Sequence, residues 1–370
     1  MECVANSDTV ARLGSDEFAV LLEDLPDAGA AIARAQRIQD RLRNPVPLNG
    51  HELFPTASIG IAVSSPESNF SKALFREADA ALVRAKTRGN SYEMFDQSMA
   101  SRAAERLALE SDLHRALERG EFRVYYQPIF SLGEDEHTIV EVEALVRWQH
   151  PERGLISPID FIPVAEETGL IVLLGQWVLV EACRQAAAWR VAYPDIAPTM
   201  GVNLSARQFQ RGELLADIRD ALAETDLDPR GLKLEITESV IMQDAEATTA
   251  TLLALKGLGI RLAIDDFGTG YSSLSYLKRF PVDTLKIDRS FVDGLGEDAQ
   301  DTAIVRSIVA LAKALGLSVT GEGIETTIQS EQLRDLNCDR GQGYLFARPQ
   351  PAEFIERLFV RNAEVQLRAA

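Results

Sequence analysis

Three cysteines in 370 residues, Cys3, Cys183 and Cys338, are an odd number, stand far apart and form no Cys-x-x-Cys pair. Neither a disulfide framework nor a zinc knuckle is indicated, and the usage fits a reducing cytoplasm. No apolar run approaches the roughly 20 residues that cross a bilayer. The longest, 170–180, is interrupted by Gly175 and Gln176 and followed by Glu181. No basic-then-apolar signal follows Met1. The expectation is a cytoplasmic protein with no membrane segment in this chain. Positive charge is also short, 38 basic against 56 acidic residues, which leaves a net charge of -18. That balance argues against a nucleic-acid polymer or an anionic membrane as a partner. Fourteen of the eighteen excess negative charges fall in residues 101–370.

Hydrophobic residues at 46% and charged residues at 25% are the proportions of a folded chain rather than a disordered or fibrous one. The length suits two domains, or one large barrel with an attachment. From about residue 120, short β-branched or apolar runs alternate with amphipathic helices, as in repeated βα units. The runs are 124–130, 140–148, 201–204, 232–236, 261–265, 284–287, 318–320 and 343–346. Helical patterns fill 213–224, 245–258, 302–315 and 330–336, and Gly259 and Gly316 end two of them. The fold class is α/β: a (β/α)8 TIM-type barrel. Residues 131–139 are too few for a parallel crossover, so the first two strands should form an antiparallel hairpin.

The first 98 residues read as an α+β fragment. It has strands at 9–12 and 18–22 around a turn at Gly14-Ser15, a helix at 28–42, a strand at 56–63 and a helix at 72–86. Leu109, Leu113 and Leu117 at i, i+4 spacing, with Gly120 behind them, mark a helix that leads into the barrel as a hinge. The expected division is an amino-terminal domain at 1–98, a helical linker at 99–120 and the barrel at 121–360.

Barrel enzymes carry their chemistry at the C-terminal ends of the strands. Those ends hold Glu143 and Arg147, Asn203, Glu235 and Glu238, the pair Asp265-Asp266, Lys286 and Asp288, and Glu322. One carboxylate at a strand end is ordinarily a cap or a surface charge. Recurrence on strand after strand, beside apolar stretches such as Leu262-Ala263-Ile264, is not explained that way. So many like charges at one mouth cannot all stay ionised without cations. Oxygen ligands with one Asn select Mg2+ or Mn2+ over Zn2+. The Asp265-Asp266 pair suits a two-metal site, in which one carboxylate bridges ions about 3.5–4 Å apart. Lys286 is suited to hold a water or stabilise developing phosphorane charge, and Glu322 to accept a proton.

Glu143-Ala144-Leu145 with Arg147, Asn203-Leu204-Ser205, Leu234-Glu235-Ile236-Thr237-Glu238-Ser239, Asp265-Asp266-Phe267-Gly268-Thr269-Gly270-Tyr271, Lys286-Ile287-Asp288, Glu322-Gly323-Ile324-Glu325 and Gln342-Gly343-Tyr344 occur in that order. The series resembles the motifs of the EAL-domain cyclic di-GMP phosphodiesterases over roughly residues 105–360. The resemblance implies a barrel with one reversed strand, hydrolysis of cyclic di-GMP to linear pGpG, and two Mg2+ or Mn2+ ions. It implies that Glu143, Asn203, Glu235 and Asp265 hold one ion and that Asp265, Asp266 and Glu322 serve the other. Lys286, Glu322 and Glu143 would be the catalytic groups. Gln127, Arg147, Gln208, Glu325, Gln342 and Tyr344 would face the substrate, with Glu238 and Asp288 behind the ligands. The glycine-containing segment 267–273 would act as a gate that couples a barrel-mediated homodimer to metal binding. Gly321, where the family often has Ala, is a small departure.

Arg12-Leu13-Gly14-Ser15-Asp16-Glu17-Phe18, Ala57-Ser58-Ile59-Gly60-Ile61-Ala62, Ala78-Asp79-Ala80 and Ala85-Lys86-Thr87-Arg88-Gly89-Asn90 are similar to the second half of a GGDEF diguanylate cyclase domain. Ser15 replaces the second glycine of the signature turn, Ala5 the Arg of the inhibitory site, and only Asp8 of that site remains. Synthesis of cyclic di-GMP is not expected. Two rivals remain for the barrel: a silent cyclic di-GMP receptor, and an enolase-like enzyme using Lys286 as a carbon-acid base.

Overall fold

The alternation of strand and helix closes into a barrel. The structure is a computed structural model that describes residues 3–5, 7–14, 16–23, 25–48, 51–53, 55–64, 71–133, 138–243, 245–269 and 274–369. Its eight barrel strands are β1 (Phe122–Ser131), β2 (Ile139–His150), β3 (Thr199–Leu204), β4 (Leu232–Thr237), β5 (Arg261–Phe267), β6 (Thr284–Ile287), β7 (Ser318–Gly321) and β8 (Arg340–Gly341). Strands β2 to β8 run parallel to one another, and β2 pairs with β3. β1 closes the ring between β8 and β2, antiparallel to both. The hairpin inferred from the short 131–139 connection is therefore present, with Gln127 directly opposite Glu143. A short extra strand, Gly154–Ile156, folds back on the end of β2.

One strand lies elsewhere than its sequence pattern suggests. The eighth strand is Arg340–Gly341, not 343–346, and Gly343 instead opens a turn in which the N–H groups of Phe346 and Ala347 donate to its carbonyl. A Cβ at Gly343 would meet the carbonyl oxygen of Ile324 at 2.0 Å, so the apolar run behind it follows a close backbone approach rather than a strand. Helices Ala299–Ala314 and Thr327–Asp335 also begin three residues before their apolar periodicity. Asp298 and Thr326 cap them, Thr326 in a capping box with Gln329. Gly259 and Gly316 sit past helix ends with φ of 90° and 73°, as the pattern implies.

Among the described residues, the helix Ile171–Ala192 alone is long and apolar enough to cross a membrane. Here it packs on the barrel, burying Leu174, Val178, Ala182, Cys183, Ala186 and Trp189. The rings of Phe122, Trp148 and Phe161 pack at 5.7–5.8 Å between centroids beside it. Such apolar surface outside the sheet supplies the stabilisation, at roughly 25 cal/mol per Å2 buried. Much of the barrel's interior is left to polar side chains, among them Glu141, Glu143, Lys233, Glu235 and Lys286.

The chain divides into compact units at residues 1–109 and 110–370, within the helix Gln97–Glu118. The first unit has the hairpin Thr9–Arg12 with Phe18–Leu21, the helices Ala28–Leu42 and Ser71–Arg88, and the parallel pair Ile59–Ile61 with Tyr92–Met94. Val46–Leu48 and His51–Leu53 add a hairpin that the sequence pattern did not suggest. Its core is small and alanine-rich: Ala31, Ala35, Ile61, Ala81 and Ala85. Ser15 lies outside the described residues.

Candidate metal and active site

Hydrogen bonds between strands that are not neighbours identify the side chains that point into the barrel. Lys286 on β6 reaches Glu235 on β4 by a hydrogen bond and Glu143 on β2 at 3.8 Å. Between β2 and β4 lies Gly201 of β3, where a Cβ would meet Glu235 Oε1 at 2.5 Å. The glycine leaves the room that lets Glu143 and Glu235 share one space. Lys286 also lies 3.2 Å from Asp265 Oδ1 and 2.6 Å from Glu322 Oε1.

Asp265 and Asp266 are adjacent, and in a regular strand they would face opposite sides. The β5–β6 register shifts between Ile264 and Phe267, and Asp266 takes φ of 53°, a left-handed conformation that L residues adopt rarely. This bulge turns both carboxylates toward the mouth, so that ligand oxygens of Asp265, Asp266 and Glu322 lie within 4.8 Å of one another. Asp288 caps the turn Arg289–Val292 through Ser290 N–H at 3.0 Å and hydrogen-bonds Asp266. Glu238 accepts from Gly268 N–H at 2.9 Å and so anchors the segment that follows the pair. The rest of the expected gate, 270–273, lies outside the described residues.

Glu143 is held from two sides. Asn203 Nδ2 donates to its Oε1 and Gln342 Nε2 to its Oε2, both at 2.6 Å. Gln342 also donates to Gln127 Oε1 at 3.2 Å, and Gln127 donates to the Ala347 carbonyl at 3.0 Å. Glu143, Asn203, Glu235, Asp265, Asp266, Lys286, Glu322, Gln127 and Gln342 thus come together. Other expected residues stand apart from that cluster in their bonding. Gln208 is buried in a capping box with Ser205, and its amide packs where a Cβ on Gly175 would be. Glu325 forms an ion pair with Arg289 at 2.9 Å.

The charges do not balance. Burial pushes the Glu235 carboxyl up to about 8, against the pull of Lys286 and with help from Glu143 and Asp265. Burial, then the charges of Asp265 and Asp288, raises Asp266 to about 6. Glu322 is held well above the ordinary carboxylate range by burial, with Asp265 and Glu143 adding to it. Burial pulls Lys286 down, yet Asp265, Glu143, Glu235 and Glu322 together keep it charged well above its usual value. Glu235 Oε1, Asp265 Oδ1 and Gln342 Oε1 are buried without a hydrogen-bond partner. Orphaned acceptor oxygens inside a repelling carboxylate cluster fit hard divalent cations, whose charge and empty coordination sites answer both faults.

Beside the cluster, Arg147 donates to the Val146 carbonyl at 2.8 Å and lies over the ring of Tyr125 at 5.7 Å. Burial lowers its pKa, opposed by Tyr344, Glu143 and Tyr125. Tyr344 is 48% exposed, with the Arg348 guanidinium 4.3 Å from its ring centroid. Arg348 was missed by sequence reasoning, and an arginine four residues after an aromatic is too common a pattern to have found it. Thr320, in register with Lys286 and buried with an unpartnered hydroxyl, was missed as well.

A reversed-strand barrel with carboxylates from successive strands at one mouth defines the class, and the chain belongs to the EAL domain family, which matches residues 110–349. Residues 1–92 match the family described as diguanylate cyclase, GGDEF domain. Among characterised proteins, the chain is similar to the bifunctional diguanylate cyclase/cyclic di-GMP phosphodiesterase MucR of Pseudomonas aeruginosa, 46% identical over 95% of this chain and 51% of that protein. It is 39% identical to the cyclic di-GMP phosphodiesterase NbdA of the same organism, over 95% of this chain and 44% of NbdA. The solved PaMucR phosphodiesterase in complex with c-di-GMP is 47% identical, with a TM-score of 0.64 over 67% of this chain and 99% of that one. The chain spans about half the length of the curated relatives it matches.

Proposed function

We propose that this chain hydrolyses one phosphodiester bond of cyclic di-GMP to give linear pGpG, with Mg2+ or Mn2+ bound at the mouth. The observation that carries the reading is the cluster of four carboxylates around Lys286, with Asp266 beside it and buried oxygens that lack a hydrogen bond. Glu143, Asn203, Glu235 and Asp265 would hold one ion, and Asp265, Asp266 and Glu322 a second. Bound there, the ions supply Lewis acidity at the phosphate and lower the pKa of water.

The remaining work falls to the chain's own side chains. Gln342 and Asn203 fix both oxygens of Glu143, so its orientation is set before substrate arrives. Lys286 stays protonated and presents fixed positive charge where negative charge grows on the phosphorus oxygens. Glu322, whose affinity for a proton is raised, accepts the proton of the attacking water. Arg147 offers a planar fork to a phosphate oxygen. The exposed ring of Tyr344, stacked on Arg348, offers a face for a guanine base. Dimerisation through the barrel belongs to the same proposal.

Purified protein incubated with cyclic di-GMP and Mn2+, followed by chromatography, tests it. The expected outcome is conversion to pGpG that disappears in Glu143→Ala. Tight binding without conversion would instead make the chain a receptor, a reading that the full set of carboxylates disfavours.

A further inference from the structure

Beneath the mouth lies a second polar layer. Lys233 of β4, 1% exposed, donates to both oxygens of Glu141 of β2 at 2.5 Å and to Thr284 Oγ1 of β6 at 3.2 Å. Arg340 of β8 donates to Glu141 Oε1 at 2.6 Å. Strands β2, β4, β6 and β8 are the alternate strands of the ring, and such strands supply one interior layer of an eight-stranded barrel. Two residues further along the chain stands a member of the mouth: Glu143 after Glu141, Glu235 after Lys233, Lys286 after Thr284, and Gln342, just past the end of β8, after Arg340. The two layers are thus related strand by strand, one pleat apart.

Barrel interiors usually fill such a layer with branched apolar side chains. Burying an ion pair gains little or no stability over an apolar filling of the same volume. The layer therefore calls for an explanation other than stability. We propose that Glu141, Lys233 and Arg340, with Thr284, act as a positioning clamp: by bonding four alternate strands across the barrel, they set the spacing of the residues one pleat above. The inference rests on the proposed metal site for its consequence, and on the floor geometry for its existence. A cavity of about 260 Å3, lined by Glu141, Lys233, Arg261, Asp283, Thr284 and Arg340 among others, opens below the layer. Arg340 is the part-exposed member, its side chain 22% exposed, and Lys233 still faces Glu141 when it is removed.

The test uses the whole chain and MnCl2 as the only ligand, with calorimetry for Mn2+ affinity and amide hydrogen exchange at Gly341 and Gln342. Arg340→Met is expected to weaken Mn2+ binding about tenfold, as loss of a group that orients a metal ligand does, and to speed exchange at both amides. Arg340→Lys should recover most of the affinity. Glu141→Met/Lys233→Met/Arg340→Met removes all three charges of the layer together. It should keep the thermal midpoint yet bind Mn2+ about tenfold more weakly, which a merely structural role would not produce. Folded variants that bind Mn2+ within about twofold of the parent would overturn the clamp. A parent chain with no Mn2+ affinity would sink the metal site instead, and unchanged exchange in Arg340→Met would then still dispose of the clamp.

Discussion

Two interior layers of one barrel handle buried charge in opposite ways, the floor drawn from four alternate strands and the mouth adding residues of β3, β5 and the end of β7. On the floor, Glu141 is met by Lys233 and Arg340, and no atom of these three or of Thr284 is buried without a partner. At the mouth, Glu143, Glu235, Asp265 and Glu322 surround Lys286 with Asp266 beside them, oxygens of Glu235 and Gln342 have no partner, and Asp265 Oδ1 has the Lys286 ammonium at 3.2 Å but no hydrogen bond. Burying a charge costs the same kind of desolvation in both places. The floor offsets most of it within the chain and leaves its second cation, Arg340, partly exposed to water, whereas the mouth leaves an excess of buried acceptors to be offset from outside. An interior polar layer therefore points to a cation where its buried acceptors outnumber the donors around them.

The most severe way to test that contrast is to remove one mouth carboxylate while keeping its shape. Asp265→Asn takes away the ligand proposed to bridge two ions and should reduce hydrolysis by at least about a hundredfold, as loss of a main electrostatic contributor does. Its thermal midpoint without metal should not fall, because one of several repelling charges is gone. A variant that keeps its turnover would place the bridging role elsewhere.

A smaller effect should appear in the response of stability to pH. Glu235 at about 8 and Asp266 at about 6 both titrate above their ordinary carboxylate values in the folded chain. The metal-free fold therefore binds more protons than the unfolded chain between those ranges, and stability is lost as pH rises through 6 and then 8. Thermal midpoints of the metal-free protein should decline from pH 6 to pH 9. A fixed Mn2+ concentration, about a hundred times the dissociation constant at pH 6, should add about 2.7 kcal/mol there and more at the alkaline end, where the carboxylates are free and affinity rises. Glu235→Gln should reduce the slope without abolishing it, because Asp266 and Glu322 are also held above their ordinary values. A slope undiminished in that variant would assign the titration to those groups instead.

Most of this site was legible as residue types at strand ends, because βα alternation and strand ends can be read from periodicity alone. The hairpin followed from the shortness of its connection. The eighth strand did not, since only Arg340 and Gly341 pair, and the apolar run after Gly343 marks a tight turn instead. Nor did the bulge that brings Asp265 and Asp266 to one side, which rests on a backbone conformation at Asp266 that no local pattern announces. The floor escaped for a related reason. Lys233 and Glu141 are 92 residues apart, and each alone reads as an ordinary surface charge until the ring closes. Gln208 shows the converse, a motif residue whose side chain is taken up by a cap.

The smallest expected effect sharpens the boundary between the mouth and its supports. Asp288 both caps the turn Arg289–Val292 and hydrogen-bonds Asp266. Asparagine caps as well as aspartate, so Asp288→Asn should leave stability nearly unchanged, whereas Asp288→Ala should cost about 0.5–1 kcal/mol. The charge is a separate matter. Burial is the larger cause of the raised Asp266 value and the charges of Asp265 and Asp288 the lesser, so in Asp288→Asn the Asp266 carboxyl should titrate below about 6 while staying above its ordinary range. Carbon-13 NMR of labelled aspartate in the metal-free protein reads that shift directly. A value fully restored to the ordinary range would mean that repulsion rather than burial governs this corner of the mouth, and that its charges need a cation even where water reaches them.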